Sequence, residues 1–332
     1  MAFLSGKVSS NEILDAQSHV WNHIFKFMNT MSLNCAIELG IPDIIHKHGK
    51  PMTLDELINA LPVNKAKSQC IYRLMRILVN SEFFVKLNIA DDKEKEAYWL
   101  TTASRLLLKD EPMSMRSYLQ VIADPILMEP WHYLSEWLAN DNHLTTFEIA
   151  HERTFWEQAK HVPRLNHAFN KSMACDGHLM NNIFLKDSKQ VFEGFESLVD
   201  VGGGTGATAR AVVDAFPDMK CIVLDLPHVV DGLEGNEKLT YVGENMFEAI
   251  PHADLVLLKG KGGKVIIIDM IFDIYEGGDK AMEDQLFFDM AMMVYVNGKE
   301  RNEKEWAKLF SDAGFSGYNI NAPGLGVRTG LN

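Results

Sequence analysis

The sequence predicts an α/β protein whose first part is mainly helical and whose last part alternates strands with helices. Three patterns lead to this prediction. Two strand-like runs flank a polar turn near residue 92, and short apolar strands alternate with helices after residue 190. That alternation is typical of a doubly wound, mostly parallel sheet. Near the start of the chain, apolar residues recur at helical spacing, namely Leu14, Trp21, Ile24, Phe25, Met28 and Met31.

Composition limits the class of protein before any motif is considered. Of the 332 residues, 47% are hydrophobic and 23% charged, which suits a folded chain of roughly two domains. The net charge of −13 repels phosphate backbones and anionic membranes, so we expect neither nucleic acid nor a membrane as a partner. The four cysteines are scattered without metal-ligand spacing. We therefore expect a cytoplasmic protein without a metal site.

The segment up to residue 110 is predicted to be winged-helix-like. Thr53 and Glu56 match a capping box for a helix over 54–61, and Asn64 is expected to cap a second helix. A hairpin follows, with a turn made of Asp91, Asp92, Lys93 and Glu94. One interpretation is a DNA-binding surface, because the second helix carries Lys65, Lys67, Arg73 and Arg76. The acidic balance of the chain favours the other interpretation, a dimerisation module.

Aromatic residues are concentrated in the helical segments of 111–190, which link the two parts. The set comprises Trp131, Tyr133, Trp137, Phe147, Phe155, Trp156 and Phe169. Such residues are typical of plain core packing and also of a pocket wall for a flat aromatic ligand. The sequence does not separate these two interpretations.

A glycine-rich turn after the first predicted strand is the clearest sign of a ligand site. The strand over 197–201 leads into Gly202-Gly203-Gly204-Thr205-Gly206, and a helix is predicted over 207–215. Glycines let the backbone approach a cofactor closely, and the helix start supplies unpaired N–H groups. Asp225 ends the second strand, where it can accept hydrogen bonds from a ribose.

Two classes of cofactor fit this turn. Gly202, Gly204 and Ala207 match the spacing of a dinucleotide fingerprint, with Asp225 about twenty residues further on. Asp200 argues against NAD, because its carboxylate would lie near a pyrophosphate. The same carboxylate suits a cofactor that carries an ammonium and a sulfonium.

Several motifs together resemble the plant S-adenosylmethionine-dependent O-methyltransferases, and within them the isoflavonoid (isoflavone) branch. They are Leu198–Gly206, Phe216-Pro217, Cys221–Pro227, Asn245–Phe247 and Asn297–Arg301, with Met31–Leu33 and Glu38–Pro42 resembling the dimerisation region. The resemblance covers almost the whole chain. It implies a homodimer, a small phenolic substrate, and three regions: a dimerisation domain over 1–110, linking helices over 111–190, and a Rossmann-like methyltransferase domain over 191–332.

The resemblance also implies roles for residues around the cofactor. Gly202 would approach its methionine part, with Asp200 and Gly204 in the same turn. Asp225 would hold the ribose hydroxyls, Met246 would pack on the adenine, and Lys259 would lie beside the cofactor. The family usually has an aspartate at position 245. Asn245 keeps an acceptor but loses the charge, so weaker cofactor binding is expected.

The expected general base is missing from the sequence. A phenol with a pKa near 10 is barely ionised at neutral pH, so its methylation needs a base. In the family, a histidine in a segment just after the lysine at position 259 supplies it. Here Gly260-Lys261-Gly262-Gly263 run straight into the next strand, and no histidine follows His252. Asp269 and Glu300 match the carboxylates that would flank this histidine.

The same gap affects the predicted sheet. Six residues separate Leu258 from Val265, whereas a right-handed parallel crossover takes roughly a dozen or more. We therefore expect one deleted crossover, with either an antiparallel hairpin or a strand displaced from its place. Asn302 and Glu305 predict another capped helix, whereas residues 324–332 read as a poor strand.

The candidate substrate residues are Phe169, Met173, Met290 and Met293, although methionine at helical spacing is also typical of core packing. The transfer would be direct and would need no metal. Two alternatives remain. One is a catalytically inactive dimerisation partner or a non-functional splice or gene-model variant, and the less favoured one is an NAD-dependent oxidoreductase.

Overall fold

A computed structural model describes residues 8–89, 92–141, 144–187, 189–257, 264–269, 271–272, 279–320 and 327–330. The chain divides into two compact units, Met1–Ala123 and Asp124–Asn332. The predicted three regions, with limits at 110 and 190, remain a prediction. No helix in the described part of the chain is long and apolar enough to cross a membrane.

The first unit consists of helices around a small antiparallel sheet with the strand order β1-β3-β2. Its helices are α1 Ser10–Phe25, α2 Phe27–Glu38, α3 Ile41–His48, α4 Leu54–Ala60, α5 Ser68–Asn80, α6 Thr102–Arg105 and α7 Arg116–Ile122. Its strands are β1 Met52–Thr53, β2 Phe84–Ile89 and β3 Asp92–Leu100. Its core includes Ile37, Ile41, Ile45, Leu57, Met75, Leu78 and Phe84.

Local sequence signals predicted much of this unit. The capping box of Thr53 and Glu56 is present at the start of α4. Asn64 caps a 3₁₀ turn, Lys65–Lys67, that runs into α5, so the predicted second helix forms with an irregular start. The paired strands β2 and β3 confirm the hairpin. The predicted turn over residues 91–94 was wrong in part. Strand β3 already begins at residue 92, and the pairing of the two strands shifts register after Asn88. Residue 91 lies outside the described residues.

The second unit is a seven-stranded sheet flanked by helices. Its helices are α8 Pro125–Met128, α9 Leu134–Ala139, α10 Thr146–His151, α11 Phe155–His161, α12 Pro163–Asp187, α13 Ala207–Ala215, α14 Pro227–Val230, α15 Asp279–Val296 and α16 Glu303–Asp312. Its strands are β4 Ser197–Val201, β5 Lys220–Asp225, β6 Leu239–Gly243, β7 Leu255–Leu257, β8 Lys264–Ile268, β9 Ile271–Phe272, β10 Arg301–Asn302, β11 Asn319–Ile320 and β12 Val327–Gly330. The sheet order is β11-β12-β8-β7-β4-β5-β6, and the five strands from β8 to β6 are parallel.

Alternate residues of the central strands pack on opposite sides of this sheet. Leu255 and Ile266 belong to the cluster that contains α13, whereas Val256, Val265 and Ile267 pack with Trp306 and Phe310 of α16. This arrangement confirms the predicted doubly wound, mostly parallel sheet. It places the carboxyl ends of β4 and β5 at one edge, where ligands bind in open α/β sheets.

The expectation of a hairpin or a displaced strand after residue 258 is wrong. β7 and β8 pair in parallel, with Leu255 opposite Lys264 and Leu257 opposite Ile266. The physical reason is the shortness of β7. To start β8 beside the beginning of β7, the chain has to travel back along the strand by only about two residues, or about 7 Å. The six residues that connect the two strands can span roughly 20 Å, which is enough. Residues 258–263 themselves lie outside the described residues.

The expectation that residues 324–332 make a poor strand is also wrong for part of that segment. Val327–Gly330 form β12, which pairs antiparallel with β8 on one side and with β11 on the other. The exposed edge of β8 offers a row of backbone donors and acceptors that any chain can satisfy. The backbone hydrogen bonds that residues 327–330 form with both neighbouring strands outweigh the low strand propensity of their own sequence.

Candidate active site

The glycine-rich turn joins β4 to α13 at the carboxyl edge of the sheet. Gly202 and Gly204 have φ angles of 72° and 58°, in the left-handed region that favours glycine. The N–H of Gly202 donates to the carbonyl of Leu224 at 2.8 Å, which fixes the turn against β5. Thr205 is held as well, since the hydroxyl of Tyr241 donates to its carbonyl at 3.1 Å.

Asp225 ends β5 and supports this turn through both carboxylate oxygens. Oδ2 accepts the N–H of Gly204 at 2.8 Å, and Oδ1 accepts the N–H of Leu226 at 2.7 Å. Each carboxylate oxygen has a second acceptor position, so these bonds are compatible with the predicted contact to a ribose diol.

Asp200 is a buried carboxyl group at this edge of the sheet. Within the described part of the chain, its Oδ2 has no hydrogen-bond partner. Burial raises the pKa of Asp200, a hydrogen bond from the Ala209 N–H opposes this shift, and the charge of Asp225 reinforces it, with a net pKa of about 7. Buried polar atoms are rarely left unpaired. The orphaned oxygen therefore fits the ammonium of a cationic cofactor and does not fit a pyrophosphate.

The adenine end of the predicted site is built by the loop after β6. The side chain of Asn245 is engaged within this loop: its Oδ1 accepts the N–H of Phe247 at 3.1 Å, and its Nδ2 donates to Glu248 at 3.2 Å. Met246 is 37% exposed, so its thioether is accessible to a flat ring. Lys259 lies outside the described residues, and its role stays a prediction.

The two predicted catalytic carboxylates, Asp269 after β8 and Glu300 in the loop after α15, interact electrostatically. Burial raises the pKa of Glu300, the charges of Asp269 and Asp289 reinforce this shift, and the charge of Arg301 opposes it, with a net pKa of about 7. The N–H of Glu300 also donates to Oδ1 of Asp289 at 2.8 Å. Asp289 was missed by the sequence analysis, although it is the lone charge in the apolar run of 286–296.

The candidate substrate residues lie in two different surroundings. Phe169 belongs to an aromatic cluster, with ring centroids 4.8 Å from Phe155 and 5.9 Å from Trp156. Core packing therefore accounts for it. Met173 and Met290 are 38% and 37% exposed, which is compatible with lining a pocket. Met293 is half-buried in α15.

A hydrogen-bond chain that the sequence did not predict anchors α15 to the preceding helices. The indole N–H of Trp131 donates to the hydroxyl of Tyr295 at 2.8 Å, and that hydroxyl donates to the carbonyl of Leu127 at 3.0 Å. Phe147 adds a ring contact 6.4 Å from Tyr295. Helix α15, which is anchored in this way at Tyr295, carries Asp289 and Met290 one to two turns before that residue.

Comparison with known proteins supports the interpretation of the glycine-rich turn as part of a methyltransferase site. The family model of an O-methyltransferase domain matches residues 131–260 and 260–316, and that of an O-methyltransferase dimerisation domain matches 21–110. The chain is 53% identical to trans-resveratrol di-O-methyltransferase of Vitis vinifera, over 98% of each chain. It is 50% identical to chavicol O-methyltransferase of Ocimum basilicum, over 97% of this chain and 96% of that one.

The fold has solved counterparts at low identity. Human N-acetylserotonin methyltransferase, solved in complex with SAM, is 18% identical and superposes with a TM-score of 0.78 over 99% of each chain. Fold, turn and family matches together define a methyltransferase with its own dimerisation domain. The chain belongs to the plant S-adenosylmethionine-dependent O-methyltransferase family. Its cofactor is therefore S-adenosylmethionine, and the NAD alternative is not supported.

The comparisons also indicate that residues are missing from this chain after Lys259, where the sequence lacks the histidine segment of the family. The match to the methyltransferase domain is interrupted at residue 260. The alignment with the Vitis vinifera enzyme spans 351 positions, more than the 332 residues of the chain. That relative therefore has residues that this chain lacks.

Proposed function

We propose that this chain binds S-adenosylmethionine and a phenol of the isoflavonoid type but lacks the general base of its family, so that it methylates slowly. One observation supports this proposal above the others. Asp269 and Glu300, which would orient a histidine, interact electrostatically, whereas the sequence contains no histidine after His252. The phenolic substrate class is supported by relatives named for trans-resveratrol, chavicol and flavonoids.

The residues that would hold the cofactor are the ones at the glycine turn. Asp200 would pair with its ammonium, Asp225 would accept from the ribose, and Met246 would pack on the adenine. Gly202 and Gly204 would let the backbone approach, and the predicted Lys259 would lie alongside. The cofactor supplies a methyl group on a sulfonium. The protein then has to position the phenol oxygen and provide a place for its proton.

Without a histidine, the phenol must lose its proton to solvent or to another group. The rate should then follow the fraction of phenolate, which rises tenfold per pH unit below the phenol pKa. Among the described residues, Glu300 is a group that could take over, because a carboxyl with a pKa of about 7 suits a base at neutral pH.

Calorimetric titration of S-adenosylmethionine into the purified chain is the first test. Saturable binding at one site per chain supports the proposal. No heat from a folded chain would overturn it and would favour an inactive dimerisation partner, since the dimerisation domain is present.

Methyl transfer would then be measured between pH 6 and 9 with two phenols of different acidity. We expect kcat/KM to rise about tenfold per pH unit and the more acidic phenol to react faster at pH 7. A rate independent of pH, at a turnover normal for the family, would contradict a missing base. In the matched variant Glu300→Gln, a loss above tenfold would show that Glu300 replaces the histidine.

We also propose that the chain forms a homodimer and functions in the cytoplasm. The dimerisation domain and the exposed apolar side chains of α1 and α2 support the first statement. The four cysteines, none of them in a disulfide, support a reducing compartment. Fractionation of plant cells with an antibody to the chain would test the location.

A further inference from the structure

Two histidines on α1 are adjacent on one side of the helix. His19 and His23 are four residues apart, and side chains at this spacing are neighbours on a helix surface. Their ring centroids lie 4.6 Å apart with an interplanar angle of 76°. Both side chains are exposed, so the imidazoles can rotate toward a shared ion.

This pair faces away from the apolar stripe of the same helix. At 3.6 residues per turn, Leu14 and Trp21 lie roughly 140–180° around the helix from both histidines, whereas Ile24 lies roughly 140° from His19 and 100° from His23. All three are more than half exposed in the single chain. If a second copy covers that stripe, the histidine pair remains open to solvent on the opposite side.

We propose that His19 and His23 bind one divalent transition-metal ion, of which Zn²⁺, Ni²⁺ and Cu²⁺ are the best matches. Imidazole is a preferred ligand of these three ions, and two histidines at this spacing on a helix can bind zinc together. The arrangement does not depend on the methyltransferase site, which lies in the other compact unit.

The remaining coordination positions would be filled by water. No group of three or more His, Cys, Asp or Glu among the described residues can share a metal ion. Glu12 is committed to capping α1, because its Oε2 accepts the N–H of Ser9 at 2.7 Å. Two protein ligands make a weak, exchangeable surface site, not a closed structural one.

The test is a Zn²⁺ titration of the full chain without a polyhistidine tag, by calorimetry. The double variant His19→Gln with His23→Gln should bind at least tenfold more weakly. Each single variant should lose nearly as much, because one imidazole cannot chelate. His167→Gln is the matched control, since His167 is also exposed on a helix and has no histidine three or four residues away. It should leave the affinity unchanged.

Cu²⁺ electron paramagnetic resonance at one equivalent of metal gives an independent readout, with two coordinated nitrogens expected in the original chain and loss of this two-nitrogen signal in the double variant. Glutamine is a good helix former, so the helical circular dichroism should stay the same. Zn²⁺ affinity that is equal in the original chain and the double variant would overturn the proposal. A loss of less than twofold in the single variants would do the same.

Discussion

Gly203 lies against the buried carboxylate of Asp200, and this contact leaves no room for a side chain. A Cβ at position 203 would lie 2.7 Å from both Cγ and Oδ2 of Asp200. Gly203→Ala should therefore displace the carboxylate and weaken S-adenosylmethionine binding about tenfold, which is about 1.4 kcal/mol. Calorimetric titration of the cofactor measures this loss.

Gly194→Ala is the matched control for this prediction, because Gly194 precedes β4 and lies outside the glycine-rich turn. A Cβ at position 194 meets nothing within 4 Å, and only the left-handed φ of 83° is unfavourable. That strain costs roughly 1–2 kcal/mol of folding free energy. Cofactor affinity should fall less than in Gly203→Ala, and an equal or larger loss would contradict the proposed role of the Asp200 contact.

Glu300 makes the stability of the protein depend on pH. Its pKa is raised from 4.5 to about 7, so the folded chain keeps a proton that the unfolded chain releases. Its contribution to stability is therefore present below pH 4.5 and is lost as the pH rises toward 7. Glu300→Gln should stabilise the chain at pH 8 by about 1 kcal/mol, given the solvent screening of a half-buried group. Urea unfolding at pH 8 and pH 4.5 measures the difference, and an equal effect at both values would contradict it.

Residues of the site could be predicted from the sequence where the motif is continuous in the chain. Asp200, Gly202 and Gly204 lie within five consecutive residues, so their spacing in the sequence determines that they are close together in the structure. Asp289 could not be found in this way, because it meets Glu300 across a helix and a loop. The same holds for Tyr295, whose partner Trp131 is 164 residues away.

At the scale of elements, the capping box of α4 should contribute measurably to stability. The hydroxyl oxygen of Thr53 accepts the N–H of Glu56, and the Glu56 carboxylate accepts the N–H of Thr53. Thr53→Ala removes the cap and should cost about 1 kcal/mol. Urea unfolding of the variant measures the loss. Thr53→Ser keeps the hydroxyl and should stay close to the original stability, and equal losses in the two variants would argue against the cap.

The strand and the helix on either side of the glycine-rich turn were predicted to the residue, whereas elements that depend on distant partners were not. Ser197–Val201 and Ala207–Ala215 form as expected because a strand, a glycine turn and a helix follow each other directly. β6 was missed, since its sequence Leu-Thr-Tyr-Val-Gly is short and partly polar. β12 and the parallel pairing of β8 depend on backbone hydrogen bonds to distant strands, which local propensity does not report.

At the scale of the whole molecule, the apolar side chains of α1 and α2 predict self-association. Trp21, Ile24 and Phe27 are each at least half exposed in the single chain. Exposed apolar clusters of this kind mark interaction surfaces. Trp21→Glu should convert the proposed dimer to a monomer, as measured by light scattering at micromolar concentration. The neighbouring variant Asn22→Glu places the same charge on the polar side and should remain dimeric. A monomeric mass for the original chain would contradict the prediction.

The Oδ2 atom of Asp200, which has no partner among the described residues, should couple cofactor binding to proton release. With a pKa of about 7, this carboxyl holds about half a proton per molecule at pH 7 before the cofactor arrives. An ammonium beside Oδ2 favours the charged form and expels that fraction into the buffer. The measured binding heat should then change with the ionisation enthalpy of the buffer, with a slope of about half a proton at pH 7. A heat that is the same in phosphate and in Tris would mean that Asp200 does not meet the ammonium.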